Sequence, residues 1–372
     1  MKVSDLTESE RKVWQSATTG ALVDLRVGNP ELDSPEKWTE WESGRTIQAE
    51  VIVDLLIGDD EAASTAVRGV RLQGARITGE LNLEATTLRC PLALLDCSFA
   101  SGINLSEATA VSVRLSGSHV PTLDARQLRT HGDLRLDEGF SVSGGAELAG
   151  AHIGGQLNCT GGQFSNADGP ALNADGLTVD HDMLCNEGFS ASGEVRLAAA
   201  QIGDVLDCMG GHFFNAGGSA LNLWRATVSG LLRTESAVLE GILDLTAAKT
   251  SSYHDDTTSW PEYLRLDGFV YHTIEGASVK ERLEWLLRNE SGYLPQIYEQ
   301  LAAFYRRSGH DENARRVLIA KQRQRSAEGT LADKIWGSLL DWTVGFGYRT
   351  WLALVWLAGL LVLGTILFGG IW

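Results

Sequence analysis

The sequence predicts a mainly β protein: a β-solenoid of about seven to eight coils, capped by N-terminal and C-terminal helices and followed by one transmembrane helix. Three observations carry this reading. Residues 146–173 align without a gap on residues 195–222, an offset of 49, with 16 identities in 28 positions, from Leu148 over Leu197 to Asn173 over Asn222. Modules of about eleven residues, each a Leu-x-Leu pair, a small-residue turn and one more apolar position, recur between Val70 and Leu245. From Trp351 to Trp372 the chain has no charged residue and Thr365 is its one polar side chain.

Residues 1–68 read as an N-terminal helical cap. Leu6 to Leu22 and Thr46 to Leu56 are amphipathic at helical spacing, and the turn Gly58-Asp59-Asp60 follows the second. Residues 69–250 form the repeat domain. Alternation such as Leu81-Asn-Leu83, Leu92-Ala-Leu94 and Leu134-Arg-Leu136 places successive side chains on opposite sides of a strand. An eleven-residue turn would enclose almost no core, so two modules per turn, about 22 to 25 residues, are expected, in a stack of roughly 35 to 40 Å. The double glycines Gly144-Gly145, Gly161-Gly162, Gly210-Gly211 and Gly217-Gly218 recur with the repeat and read as coil corners.

Residues 251–274 are expected to be a loop, Ser251 to Ser259, and a terminal strand, Tyr263 to Tyr271. Residues 275–330 form a helical hairpin cap with helices at Ser278–Asn289, Pro295–Ser308 and Asp311–Ser326, where Pro295 suits a first helical turn and Gly309 a helix end. Within residues 331–349 the apolar stretch Ile335 to Tyr348, fourteen residues broken by Asp341, Gly345 and Gly347, is too short to span a bilayer and reads as an interfacial amphipathic segment led by Trp336, Leu339, Leu340 and Trp342. Residues 350–372 are the transmembrane helix: the 22 residues from Trp351 to Trp372, at about 1.5 Å each, reach roughly 33 Å. Trp351, Trp356 and Trp372 are the expected interfacial anchors.

Composition and charge narrow the function classes. The chain has 372 residues, 44% hydrophobic and 21% charged, which is globular rather than disordered composition. Of its 31 basic and 48 acidic residues, 12 and 10 follow Ile274, so the first 274 residues carry −19 and the remainder +2. Such an acidic body disfavours nucleic acid, and no nucleic-acid partner is expected. The expected partners are membrane lipid and a protein. Arg315, Arg316, Lys321, Arg323, Arg325, Lys334 and Arg349 precede the span, a lipid-facing basic cluster that by the positive-inside rule leaves the body in the cytoplasm. The segment MKVSDLTESERKVW contains no signal-peptide pattern, so a single-pass tail anchor in the cytoplasmic membrane is expected.

Chemistry is less visible. The five cysteines include no Cys-x-x-Cys, and no Gly-x-Gly-x-x-Gly joins a strand to a helix. Cys159 and Cys208 share a register about two coils, near 10 Å, apart, too far for a disulfide, and read as small core residues. His254-Asp255-Asp256 is the nearest approach to a metal cluster, and Asn158, Asp207 and Asp244 are the nearest to a file of catalytic acids. No catalytic residue and no metal site is assigned, and the cofactor is unknown.

The combination of GARITGELNL at Gly74, CPLALLDCSF at Cys90, LRLDGFVY at Leu264 and PQIYEQLAAFYRRSGHDENARRVLIAKQR from Pro295 resembles a bacterial family of pentapeptide-like β-solenoid proteins with a C-terminal membrane anchor. Members of that family are often labelled membrane-associated oxidoreductases. The resemblance implies redox chemistry and transfers no catalytic residue. Three functions therefore stand: a membrane-tethered cytoplasmic scaffold or interaction protein, a membrane-associated oxidoreductase with an unrecognised cofactor site, and an acidic solenoid that mimics DNA.

Overall fold

The computed structural model describes residues 6–57, 67–328 and 351–368. They divide into two compact units, one drawn from residues up to Arg265 with Phe269–Gly276, the other from Leu266–Gly268 and the residues from Ala277 onward.

The first unit is a β-solenoid. Its strands pair in parallel and in register, so that Leu92, Val113, Leu134, Leu157, Met183 and Leu206 lie in one column, each stacked on the next. Each turn carries four short strands, as in Leu134–Arg135, Ser141–Val142, Ala146–Glu147 and His152–Ile153. The side chains of Leu134, Leu136, Phe140, Val142, Ala146, Leu148 and Ile153 are buried inside that turn, and Arg135, Ser141, Glu147 and His152 alternate with them on the outer side. Corners are left-handed: Glu138 (φ 53°) and Glu187 (φ 42°) occupy the position that Gly117, Gly161 and Gly210 take in other turns. Asx side chains brace these corners. Asp124, Asn158 and Asp207 each accept the backbone N–H two residues on, at 3.1, 2.9 and 3.0 Å.

About nine turns lie between Val70 and Ile274, not seven to eight, and at roughly 4.8 Å per layer the stack is about 43 Å long. The additional turn runs from Tyr253 to Ile274. Lys249–His254 and Val270–Glu275 are strands, and the residues between them close the coil through Leu264–Arg265. The expected loop from Ser251 is therefore strand as far as His254, and the expected strand from Tyr263 to Tyr271 is two shorter ones; the first half of this turn escapes an apolar-pattern search because its core is partly polar. Tyr253 and Asp255 are buried, the Tyr253 hydroxyl meets Thr234 Oγ1 at 3.1 Å, and Trp260 Nε1 donates to Asp255 Oδ2 at 2.8 Å.

The 49-residue repeat is two turns, since Ala146 pairs with Leu172 and Leu172 with Val195. Its physical origin is an alternation in the core. Phe140, Phe164, Phe189 and Phe213 form one ring stack at centroid spacings of 5.6, 5.4 and 5.2 Å. Phe140 and Phe189 stand two residues before the register position that Phe164 and Phe213 occupy. The Phe164 and Phe213 rings therefore lean back over Gly162 and Gly211, where an added Cβ would meet a ring carbon at 2.8 and 2.9 Å.

The N-terminal segment closes the first edge of the stack. Val23–Asp24 pairs with Leu72–Gln73, and Thr46–Gln48 with Arg76–Thr78. Helices α1 (Glu8–Ala17) and α2 (Ala49–Ile57) pack on these strands; both are shorter than the expected spans, the second because residues 46–48 extend the sheet. Asp33 and Arg45 form a buried ion pair at 2.8 Å, with the Arg45 guanidinium 3.7 Å over the Trp41 ring and its Nε on the Gly74 carbonyl at 2.8 Å. The expected turn at residues 58–60 lies outside the described residues.

The second unit contains α3 (Val279–Leu287), α4 (Pro295–Arg307), α5 (Asp311–Glu328) and α6 (Trp351–Phe368). The first three match the expected helices, with Ser278 and Glu281 forming a capping box and Pro295 in the first turn of α4. Asn289 Oδ1 and Gln296 Oε1 accept the N–H groups of Leu266 and Gly268 at 3.0 and 3.2 Å. Helix α6 has 18 residues, about 27 Å at 1.5 Å each. Among the described residues no helix is long and apolar enough to cross a membrane, so the expected span is not supported. The interfacial segment at 331–349 and the last four residues lie outside the described residues.

Candidate functional site

The chemical candidates separate once the ladders are built. Cys159, Cys185 and Cys208 occupy one interior register in three successive turns, so Cys185 fills the layer between the pair two coils apart. An offset search at 49 residues misses it because the two turns differ in length, 26 and 23 residues. All five cysteines are free and buried. Burial raises the Cys97 thiol to about 12 and pushes Cys208 well up; Cys185 is raised by its hydrogen bond with Cys159 and then by burial. Thiols held protonated in this way are poor nucleophiles.

His254, Asp255 and Asp256 diverge. His254 lies 3.8 Å from Glu275, Asp255 turns inward to Trp260, and Asp256 accepts the N–H groups of Ser236, Thr258 and Ser259 at 2.7, 2.9 and 2.9 Å. Among the described residues no three His, Cys, Asp or Glu side chains converge on a metal-sized site. Asn158 and Asp207 share an outward column with Leu184 between them, while Asp244 belongs to the column of Asn222. The three thus form no single file. Each serves its own corner instead, and Asp207 also accepts from Asn186 Nδ2 at 3.0 Å.

The residues expected to meet lipid are spread over several settings. Lys321 pairs with Glu299 across α4 and α5, and Arg316 with Glu312 at 2.5 Å within α5; Arg315, Arg323 and Arg325 are exposed. Trp351 is the first residue of α6, and Trp356 is 38% exposed within it. Lys334, Arg349 and Trp372 lie outside the described residues.

Sequence reasoning did not single out the concave feature that combines charge with shape. On the outward side of the first strand column, Arg71, Ala93, Arg114 and Arg135 follow one another in adjacent turns. Ala93 is too short to fill its place in the row. The resulting notch, about 360 Å³, is lined by the three arginines together with Leu22, Pro91, Leu95, Ser112 and Asp133. Arg135 is committed to Asp137, with Nε at 2.8 Å and a terminal nitrogen at 2.5 Å. Asp133 takes the N–H of Gln156 at 3.0 Å. No described residue pairs with the guanidinium of Arg71 or Arg114. A second hollow, about 480 Å³, is bordered by Glu50 and Glu80 without a cation. Arginine does not lose its proton in proteins, so the basic notch is equipped to bind an anion rather than to move a proton.

No protein-family model, curated protein or solved structure matches the chain.

Proposed function

We propose that this protein is a membrane-tethered cytoplasmic scaffold or interaction protein, a rigid acidic solenoid presented to a protein partner near a lipid surface. The observation that carries the reading is the state of α6. Leu354, Leu357, Leu360, Val362, Leu363 and Ile366 are 53 to 70% exposed, and at about 100° per residue they cover the whole circumference of the helix. Leaving such a side chain in water forgoes roughly 1.5 to 3 kcal/mol each, which a lipid environment would recover. The sequence continues without charge to Trp372, and basic residues precede the run, consistent with a body on the cytoplasmic side. The resemblance to anchored solenoid proteins supports the same arrangement. The ladders supply in-register rows of outward side chains, a surface suited to a protein partner.

A chain ending at Arg349 tests the tether. It should appear in the soluble fraction of its host while the full-length chain sediments with membranes; retention of the truncated chain on membranes would overturn the reading. The oxidoreductase alternative has its own signature. A stoichiometric flavin, haem or metal in the full-length protein purified from its host in mild detergent would replace the scaffold reading with a redox one.

A further inference from the structure

We infer that the notch over Ala93 binds a phosphate-bearing organic ligand between the guanidinium groups of Arg71 and Arg114. On a strand, residues two apart face the same way, and two arginines of this solenoid are neutralised at that spacing: Arg126 holds Asp124 and Arg135 holds Asp137. Arg196, Arg233 and Arg265 hold carboxylates of neighbouring turns. At the corresponding positions Arg71 has Gln73 and Arg114 has Ser116, neither of which carries charge.

The nearby carboxylates are engaged elsewhere. Asp96 meets Arg26 at 3.4 Å and Gln73 Nε2 at 2.8 Å, Asp137 is taken by Arg135 and the Ser116 hydroxyl, and Asp133 holds the Gln156 N–H. In a body of charge −19, two arginines that pair with no carboxylate among the described residues stand on either side of a concavity.

Their spacing selects the ligand. Arg71 and Arg114 are two layers apart, about 10 Å along the stack, with the short Ala93 between them. One guanidinium fork satisfies the two oxygens of a carboxylate, whereas a phosphate monoester offers three acceptor oxygens and nearly two charges for two forks. The apolar wall of Leu22, Pro91 and Leu95 suits an organic substituent on that phosphate. Asp133 at the rim opposes the anion and limits affinity.

Isothermal titration of the full-length protein in neutral detergent, with phenyl phosphate as probe, tests this site. Saturable binding is expected, weakened at least about tenfold by Arg71→Gln or Arg114→Gln, the loss of one charge-assisted contact. Ala93→Leu should abolish it by filling the notch without changing charge, Asp133→Asn should tighten it, and Arg196→Gln should leave it unchanged. Thermal melting checks that each variant is folded, and Ala93→Leu keeps the test decisive should an arginine variant not be. Absence of saturable binding, or binding indifferent to Arg71, Arg114 and Ala93 in folded variants, would overturn the assignment. A water-soluble short-chain phosphatidic acid separates the two sources of the same chemistry. Tighter binding than phenyl phosphate assigns a lipid headgroup, and weaker binding a soluble phosphate ester. The site is independent of the tether, since release of the Arg349 truncation and phosphate binding are read separately.

Discussion

Gly162 shows how a single residue sets the period of the repeat. Its added Cβ would meet the Leu136 carbonyl at 2.7 Å and the Phe164 ring at 2.8 Å, so the ring occupies space a side chain would need. Gly162→Ala is expected to lower stability by about 1 to 3 kcal/mol, as overpacking of a close-packed core does. Chemical denaturation measures it, and a variant as stable as the parent would show that the ring moves aside freely. The cysteines make a second prediction at this scale. Because burial holds Cys97 near 12 and raises Cys208, an aromatic disulfide reagent at pH 8 should titrate no thiol in the native protein and five after unfolding. One rapidly reacting native thiol would return a cysteine to candidacy for redox chemistry.

At the scale of elements, polar contacts join the N-terminal cap to the solenoid beside its buried apolar side chains. Thr7 and Glu10 form a capping box on α1, and the buried Glu10 also accepts the Gln48 N–H at 3.1 Å, tying the helix to the first sheet edge. Thr7→Ala should cost about 1 kcal/mol. Glu10→Ala should cost more, about 2 to 3 kcal/mol, because it strands two N–H groups; equal melting temperatures for the two variants would remove Glu10 from that role. Asp33 adds a pH dependence. Burial works against its charge, and the N–H groups of Val27 and Gly28 with the Arg45 guanidinium outweigh burial, so its pKa lies below the usual carboxylate value. Its contribution is present above an unfolded value of about 3.9 and lost as pH falls through the lower folded value. Melting curves between pH 6 and 3 should fall less steeply for Asp33→Asn, and an unchanged slope would rule this out. These elements differ in how plainly the chain declares them. The boxes at Thr7 and Ser278 and the Leu-x-Leu pairs are local patterns, and the helices and most turns follow from them. The turn from Tyr253 shows that pattern only in its second half, at Leu264-Arg-Leu266; in the first, hydrogen bonds among Thr234, Tyr253, Asp255 and Trp260 replace apolar alternation. The basic notch lies between these cases. Its V-R-L, L-A-L, V-R-L and L-R-L segments are plain in the chain, but only the in-register stack makes neighbours of residues 22 and 21 positions apart.

On the scale of the whole molecule, a solenoid is nearly one-dimensional, and its stability approximates a sum over turns and the interfaces between them. The Phe–Gly alternation adds a rule to that sum: neighbouring turns are complementary, and turns two apart are alike. Removing residues 157–205 takes out 49 residues and two turns, joins Gln156 to Leu206 in the same ladder register, and sets Phe140 beside the ring of Phe213 in the arrangement it had with Phe164. Removing residues 157–182 takes out one turn, joins Gln156 to Met183, and also preserves strand register, but sets Phe140 beside Phe189 at the same position and Val142 beside Ala191. Both deletions leave the ends of the stack and the N-terminal cap untouched. If packing alternation specifies the repeat, the shorter deletion should be the more damaging one, with a lower denaturant midpoint than the chain that has lost twice as much. If strand register alone sets stability, the order reverses and the longer deletion melts first, because it has surrendered one more interface.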